Sequence, residues 1–74
     1  MCNQVLLKQK LVEKGLSQRR LADLAQVSHV TIGRICSGKS DPRLSTLILI
    51  VDVLELDATE FLEIFFDNFV KKYT

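Results

Sequence analysis

Two serine residues eleven positions apart, Ser17 and Ser28, divide residues 16–38, LSQRRLADLAQVSHVTIGRICSG, into two short stretches of helical character. Each serine can begin a helix, because its hydroxyl accepts hydrogen bonds from the unpaired amides of the first turn. Apolar residues recur at helical spacing after the first serine, at Leu21, Ala22, Leu24 and Ala25. After the second serine, Ile32 and Ile35 give a helix only a narrow buried edge. The segment therefore predicts two short helices.

The turn between these helices has room for only a few residues, Ala25, Gln26 and Val27. Helices joined by so short a connection cross at a steep angle. We expect the crossing to lie around Ala22, Val27 and Ile32, where the small Ala22 side chain allows close approach. This arrangement leaves the other side chains of the second helix facing away from the core: His29, Val30, Thr31, Gly33 and Arg34.

Helical periodicity extends over most of the 74 residues, of which 47% are hydrophobic, three are glycine and one is proline. These properties predict an all-α fold, a compact bundle of five helices. We expect the helices at about residues 3–14, 18–25, 29–37, 44–54 and from after Asp57 to about residue 71. The apolar side of the first helix is expected at Val5, Leu6, Leu7, Leu11 and Val12. A chain of this length predicts one domain, residues 1–74, without a separate sensor module.

The net charge of +1 conceals two oppositely charged halves. Residues 1–43 carry eight lysines and arginines against three acidic residues, a net charge of +5, whereas residues 44–74 carry two against six, a net charge of −4. The basic half contains the two short helices, as expected if that half faces the phosphates of a nucleic acid and the acidic half points away. The alternative is that both halves are ordinary solvated helix faces.

Other classes of protein find little support in the sequence. No long uninterrupted apolar run and no signal-peptide pattern are present, so we expect a cytoplasmic protein with no membrane partner. Cys2 and Cys36 have no metal-ligand spacing, and we expect neither a disulfide nor a cofactor nor a small-molecule ligand. His29 and Cys36 would lie about 10 Å apart along one helix, too far for a nucleophile pair, so no enzyme is predicted.

Several fragments, in order and at specific spacings, resemble the Xre/Cro-repressor helix-turn-helix family, whose domain is lambda-repressor-like. The resemblance covers about residues 5–62 and rests on GLSQ, LA, VS, TIGRI, the Gly38 stop and TLILIVDVLELDATEFL. It implies a five-helix bundle with the helix-turn-helix at residues 17–37. It also implies a transcriptional regulator that binds double-stranded DNA, usually as a homodimer on a palindromic operator.

The resemblance assigns base contacts to Gln18, His29, Val30 and Arg34, the last of which is the strongest candidate. Arginine is the commonest partner of guanine O6 and N7, and valine can contact the methyl group of thymine. Each assignment has an alternative: Arg34 and His29 could be ordinary solvated side chains, and Val30 could pack locally. The same comparison assigns phosphate contacts, which position the protein without reading sequence, to Ser17, Arg19, Thr31, Lys39 and Arg43.

Three departures from the family pattern affect this region. Gln26 stands where glycine often adopts a left-handed conformation, so the turn is either strained by about 1 kcal/mol or modified. Leu11 and Cys36 stand where the family often has an Arg–Glu pair, and both have become apolar, so we expect Cys36 in the core. Gly33 lies in the middle of the second short helix, where it either allows close approach to DNA or is simply tolerated.

The helices at residues 44–72 carry more apolar surface than a bundle of this size needs, which is typical of an interface. We therefore expect homodimerisation through Leu49, Val53, Phe65, Phe66 and Phe69. Alternatively, the fifth helix folds back and buries these side chains itself. A protein-interaction module, such as an antitoxin-like subunit with a heterologous partner, is the alternative function.

Overall fold

The computed structural model describes residues 2–67, which form five α-helices and no strand. The helices are α1 (Gln4–Glu13), α2 (Gln18–Ala25), α3 (His29–Cys36), α4 (Leu44–Leu54) and α5 (Ala58–Phe65). The predicted all-α, five-helix architecture is therefore confirmed. Within this part of the chain, none of the helices combines the length and the apolar character needed to cross a membrane.

Capping side chains fix where the helices begin. The Ser17 hydroxyl accepts the Arg20 amide at 3.0 Å at the start of α2, and the Ser28 hydroxyl accepts the Val30 amide at 3.1 Å at the start of α3. Asp57 and Glu60 form a reciprocal capping box at the start of α5. These contacts are local in sequence, which explains why the predicted starts of these three helices are correct.

The core is apolar throughout and is built around α2, which packs against both α3 and α4. α5 packs mainly on α1, and the Asn3 amide donates a hydrogen bond to the Ile64 carbonyl at 2.5 Å. The largest fully buried side chains come from four of the helices: Leu7, Leu21, Ile32, Ile35, Ile50, Leu54 and Cys36. Completely buried Ala22 lies at the junction of α2 and α3, and Ile32 and the partly buried Val27 belong to the same core.

Two details of the predicted helices are wrong. α5 does not continue unbroken to residue 71, because the backbone leaves helical geometry at Phe66 (φ −130°, ψ 37°); residues 68–71 lie outside the described part. On α1, only Leu7 and Leu11 are buried, whereas Val5 and Val12 are 65% and 79% exposed. The apolar side of α1 is therefore narrower than its composition predicts.

Leu11 and Cys36 are 4% and 1% exposed and belong to the same hydrophobic cluster, which confirms the prediction that Cys36 is a core residue. Burial raises the pKa of the Cys36 thiol, and it raises the pKa of Cys2 to about 11. Both thiols are consequently protonated at neutral pH, and a protonated thiol is a poor nucleophile.

The turn between α2 and α3 keeps the left-handed geometry, with Gln26 at φ 58° and ψ 41°. Left-handed geometry brings Cβ close to the following carbonyl oxygen, and glycine avoids this cost. We therefore expect Gln26→Gly to raise the free energy of unfolding by about 1 kcal/mol, as measured by urea denaturation. Gln9→Gly, at an exposed helical position of α1, is the control and should lower it by about 0.5 to 1 kcal/mol. Equal losses at both sites would contradict strain at Gln26.

Two lysines, one within α1 and one directly after it, pair with acidic residues of the C-terminal half. The Lys10 ammonium forms a hydrogen-bonded ion pair with Glu60, and Lys14 Nζ lies 3.7 Å from Glu55 Oε1. The hydrogen bond from Lys10 lowers the pKa of Glu60, and the same pair raises the pKa of Lys10. Part of the positive charge of residues 1–43 is thus paired with acidic side chains of the C-terminal half.

Because the pKa of Glu60 is lower in the folded state than in the unfolded chain, its ion pair stabilises the fold above the unfolded pKa. This contribution disappears as pH falls through the folded-state pKa. We expect Glu60→Gln, which keeps a capping-box acceptor, to be less stable than the parent at neutral pH, and this difference should disappear as pH falls through the lowered folded-state pKa of Glu60. Urea unfolding across this range measures the difference, with Glu63→Gln on the same helix as the control. A difference in unfolding free energy between Glu60→Gln and the parent that stays constant at every pH would contradict the stabilising role of the Glu60 ion pair.

Candidate nucleic-acid interface

One face of α3 is buried and the other points outward. Ile32, Ile35 and Cys36 are each 1% exposed and anchor the helix in the core. Helical geometry places the opposite face along Val30, Gly33, Arg34 and Ser37. Val30 is 69% exposed, and Arg34 and Ser37 are also exposed, so the predicted contact residues Val30 and Arg34 lie side by side on one external surface.

The exposed His29 ring is held by an acidic residue of the preceding helix. His29 Nε2 lies 2.6 Å from Asp23 Oδ1, so the hydrogen bond joins the start of α3 to α2 across the turn. This hydrogen bond is the main cause of the lowered pKa of Asp23, to which the nearby Arg20 and Arg19 charges also contribute. With Nε2 donating to the carboxylate, Nδ1 is the ring nitrogen left for an external partner.

The N-terminus of α2 presents Gln18 and Arg19 as exposed side chains on its first turn. The adjacent Ser17 uses its hydroxyl as the helix cap. A helix N-terminus carries positive partial charge from its unpaired amides, and two arginines stand on this turn, Arg19 and Arg20. The surface therefore suits an anion such as a phosphate.

The connection from α3 to α4 supplies further cationic side chains. Lys39 is exposed just beyond the end of α3, and its amide donates to the Arg34 carbonyl at 2.9 Å. Thr31, which is partly buried, and Arg43 line the same cleft between α3 and this loop. Arg43 is also the first residue before α4, where its side chain makes no capping hydrogen bond. Two separated sequence positions, Thr31 and Arg43, are thus brought together.

Among residues 2–67, no group of three His, Cys, Asp or Glu side chains is arranged to hold a metal ion. The profile of the helix-turn-helix family matches residues 7–61, which is most of the chain. The chain belongs to the Xre/Cro-type helix-turn-helix family. As a member of this family it is a DNA-binding regulator of transcription, a class that is not typically enzymatic. Comparisons with curated proteins and with solved structures give no match.

Two residues of this helix-turn-helix surface were missed by the sequence analysis. Asp23 holds His29, and Ser37 continues the outward face of α3, where its hydroxyl donates to the Arg34 carbonyl at 3.2 Å. Asp23 could have been recognised from the sequence, because an acidic residue near the end of one helix and a histidine at the start of the next can form a hydrogen bond across a short turn. Ser37 has the i+3 spacing from Arg34 that places both on one face.

The helix-turn-helix bundle also has an apolar groove between α4 and α5, away from the α3 surface. Leu44 and Ile48 line its edge and are 71% and 59% exposed. The other lining residues are Leu47, Val51, Leu56, Asp57, Ala58 and Phe61. Because α5 packs mainly on α1, the space beside α4 is left open.

The predicted interface set only partly coincides with exposed surface. Phe65 is only 5% exposed and packs in the core of the bundle, so its side chain offers almost no surface to a partner. Val53 is partly buried against the same core, whereas Leu49 and Phe66 are 43% and 42% exposed. None of these four lines the groove, since Leu49 lies about 100° around α4 from Ile48 and α5 turns Phe65 inward. Phe69 lies outside the described residues.

Proposed function

We propose that the protein is a sequence-specific regulator, of repressor or controller type, that acts as a homodimer on a palindromic operator. The observation that carries this proposal is the outward face of α3. Val30 and Arg34 are exposed on this face, and Lys39 lies just beyond its end. At its start, His29 is bonded to Asp23, whose pKa is also lowered by the nearby Arg20 and Arg19 charges. In the proposed arrangement α3 lies in the major groove and α2 crosses the DNA backbone, as in other helix-turn-helix proteins.

Base contacts are assigned to the outward residues of α3 and to the start of α2. Arg34 reads guanine through O6 and N7, and Val30 meets a thymine methyl group. Gln18 reaches a base edge or bridges to a phosphate. His29 contributes through Nδ1, since Asp23 engages Nε2; with that hydrogen bond in place, neutral His29 presents an acceptor to a base amino group.

Phosphate contacts are assigned to the residues that surround this face: Ser17, Arg19, Thr31, Lys39 and Arg43. Ser17 acts through the capped first turn of α2, where helix amides and Arg19 favour an anion. Arg43 stands before an α4 N-terminus that its side chain does not cap, which leaves the first amides of α4 available to a phosphate. These contacts fix the register of α3 without selecting bases.

The homodimer is proposed to form through the groove between α4 and α5, within a dimerisation region at residues 44–72 of a single 1–74 domain. Leu44 and Ile48 form an exposed apolar ridge directly beside the opening lined by Leu56 and Phe61. A two-fold interface brings together the same surface of both protomers. The ridge of each protomer can then enter the groove of its partner. The groove contains no residue of α3, so the proposed interface does not cover the exposed face of α3.

Selection of bound duplexes from a random pool by the full chain tests this proposal. We expect enrichment of a two-fold symmetric site whose half-sites are separated by about 34 Å, one turn of DNA. Binding to the selected duplex should weaken steeply with salt, because phosphate contacts release counterions. Failure to enrich any sequence would reject specific binding, and an asymmetric single half-site would reject the homodimer.

A further inference from the structure

Gly33 occupies the middle of the outward face of α3 without a structural reason to be glycine. Its backbone is helical and does not adopt the positive φ found at Gly15 and Gly38. A Cβ atom built at Gly33 would meet nothing within 4 Å, so no neighbour in the fold requires the absence of a side chain. Glycine is among the poorest helix formers, which means that the fold itself would be more stable with alanine there.

The side chains around Gly33 make this position the floor of a notch. Val30 stands one turn before it and Ser37 one turn after it on the same face. Val30 is 69% exposed and presents an apolar wall. Ser37 uses its hydroxyl proton for the Arg34 carbonyl, so the far side of the notch is held in place by the end of α3.

We infer that the notch formed by Val30 and Gly33 receives the 5-methyl group of a thymine, and that Gly33 is a specificity-determining residue. The thymine methyl is the apolar group that the major groove presents, and an apolar wall above bare backbone matches its shape. Lack of a Cβ at Gly33 lets the α3 backbone approach the base edge closely enough for Val30 to make contact. This inference rests on the proposed function, because it requires α3 to be the helix in the major groove.

The test combines a protein substitution with a DNA substitution that removes only the methyl group. Each thymine of the selected operator is replaced in turn by deoxyuridine, and affinities are measured for the parent chain and for Gly33→Ala. For the parent, one symmetric thymine position should lose about fourfold in affinity per half-site. Gly33→Ala should bind the thymine operator about tenfold more weakly than the parent. On the deoxyuridine duplex its affinity should fall almost no further, because the protein and the DNA substitution remove the same contact.

Stability measurements separate a binding defect from a folding defect. Gly33→Ala should raise Tm by about 4–8 °C while weakening binding, the opposite of what a damaged fold would give. Val12→Ala, at an exposed helical position of α1, is the matched control: it should also raise Tm and should keep the parent's affinity and deoxyuridine penalty.

Two results overturn the inference while leaving the proposed function intact: a parent chain that binds its operator equally well with deoxyuridine at every position, or a Gly33→Ala variant with parental affinity and penalty. If the parent binds no duplex specifically, the proposed function itself is rejected, and the inference with it. The parent's response to deoxyuridine does not depend on any variant folding.

Discussion

Replacing Ile48 by glutamate is expected to convert the proposed homodimer into monomers and to lower the affinity for a two-fold operator by about 100-fold or more. Ile48 is 59% exposed at the edge of the α4–α5 groove, so the substitution costs the isolated bundle little but places a charge in the proposed apolar interface. The affinity loss is large because two linked copies of α3 bind with a high effective concentration that separate monomers lack. Sedimentation at micromolar concentration and operator titration measure the two effects.

Val12→Glu supplies the matched control, because it introduces the same charge at an exposed apolar position on α1. It should remain dimeric and bind the operator as the parent does. A dimer that survives Ile48→Glu would place the interface elsewhere, and a parent chain that sediments only as a monomer would reject homodimerisation. Leu49→Glu distinguishes the groove from the neighbouring face of α4, since Leu49 does not line the groove.

Replacing Arg34 by alanine is expected to remove discrimination at one base pair of each half-site. A bidentate arginine–guanine contact is worth about 1 to 3 kcal/mol against the wrong base, equivalent to roughly 5- to 160-fold. Competition between the selected operator and duplexes substituted at each position measures the change. Only the position read by Arg34 should become tolerant, whereas the remaining positions keep their preference.

Lys39→Ala provides the comparison, because Lys39 is an exposed cation next to the end of α3 and is assigned to a phosphate. It should weaken binding to all sequences about equally, and it should reduce the slope of log affinity against log salt concentration by about one. If Arg34→Ala behaved in the same way as Lys39→Ala, Arg34 would be a phosphate contact, and the orientation proposed for α3 in the groove would be wrong.

The starts of three helices could be predicted because their signals are local. Ser17, Ser28 and Asp57 each bond to amides two or three residues ahead, so sequence spacing alone contains the geometry. The αL turn at Gln26 also lies where the family pattern places it, although the side chain there is not glycine. The fold class follows from these short-range signals combined with apolar periodicity.

Which apolar side chains are exposed could not be predicted, because that depends on packing between distant helices. Val5 and Val12 carry the same apolar signal as Leu7 on α1, yet only Leu7 is buried. On α5, which packs on α1, Phe65 is buried. The exposed apolar surface beside α4 is instead formed by Leu44 and Ile48. The burial of these residues therefore depends on tertiary packing, and the apolar composition of a helix does not determine which of its side chains face the core.

The burial of Leu11 and Cys36 in one core restricts which residues two positions distant in sequence can carry together. Both lie in one core, where the family often has an arginine and a glutamate. Introducing one ionic partner alone would bury an unpaired charge, which costs about 3 to 5 kcal/mol and exceeds what a small domain can readily lose. The two positions are thus expected to be coupled in stability: a variant with one ionic partner alone should be less stable than the variant with either complete pair.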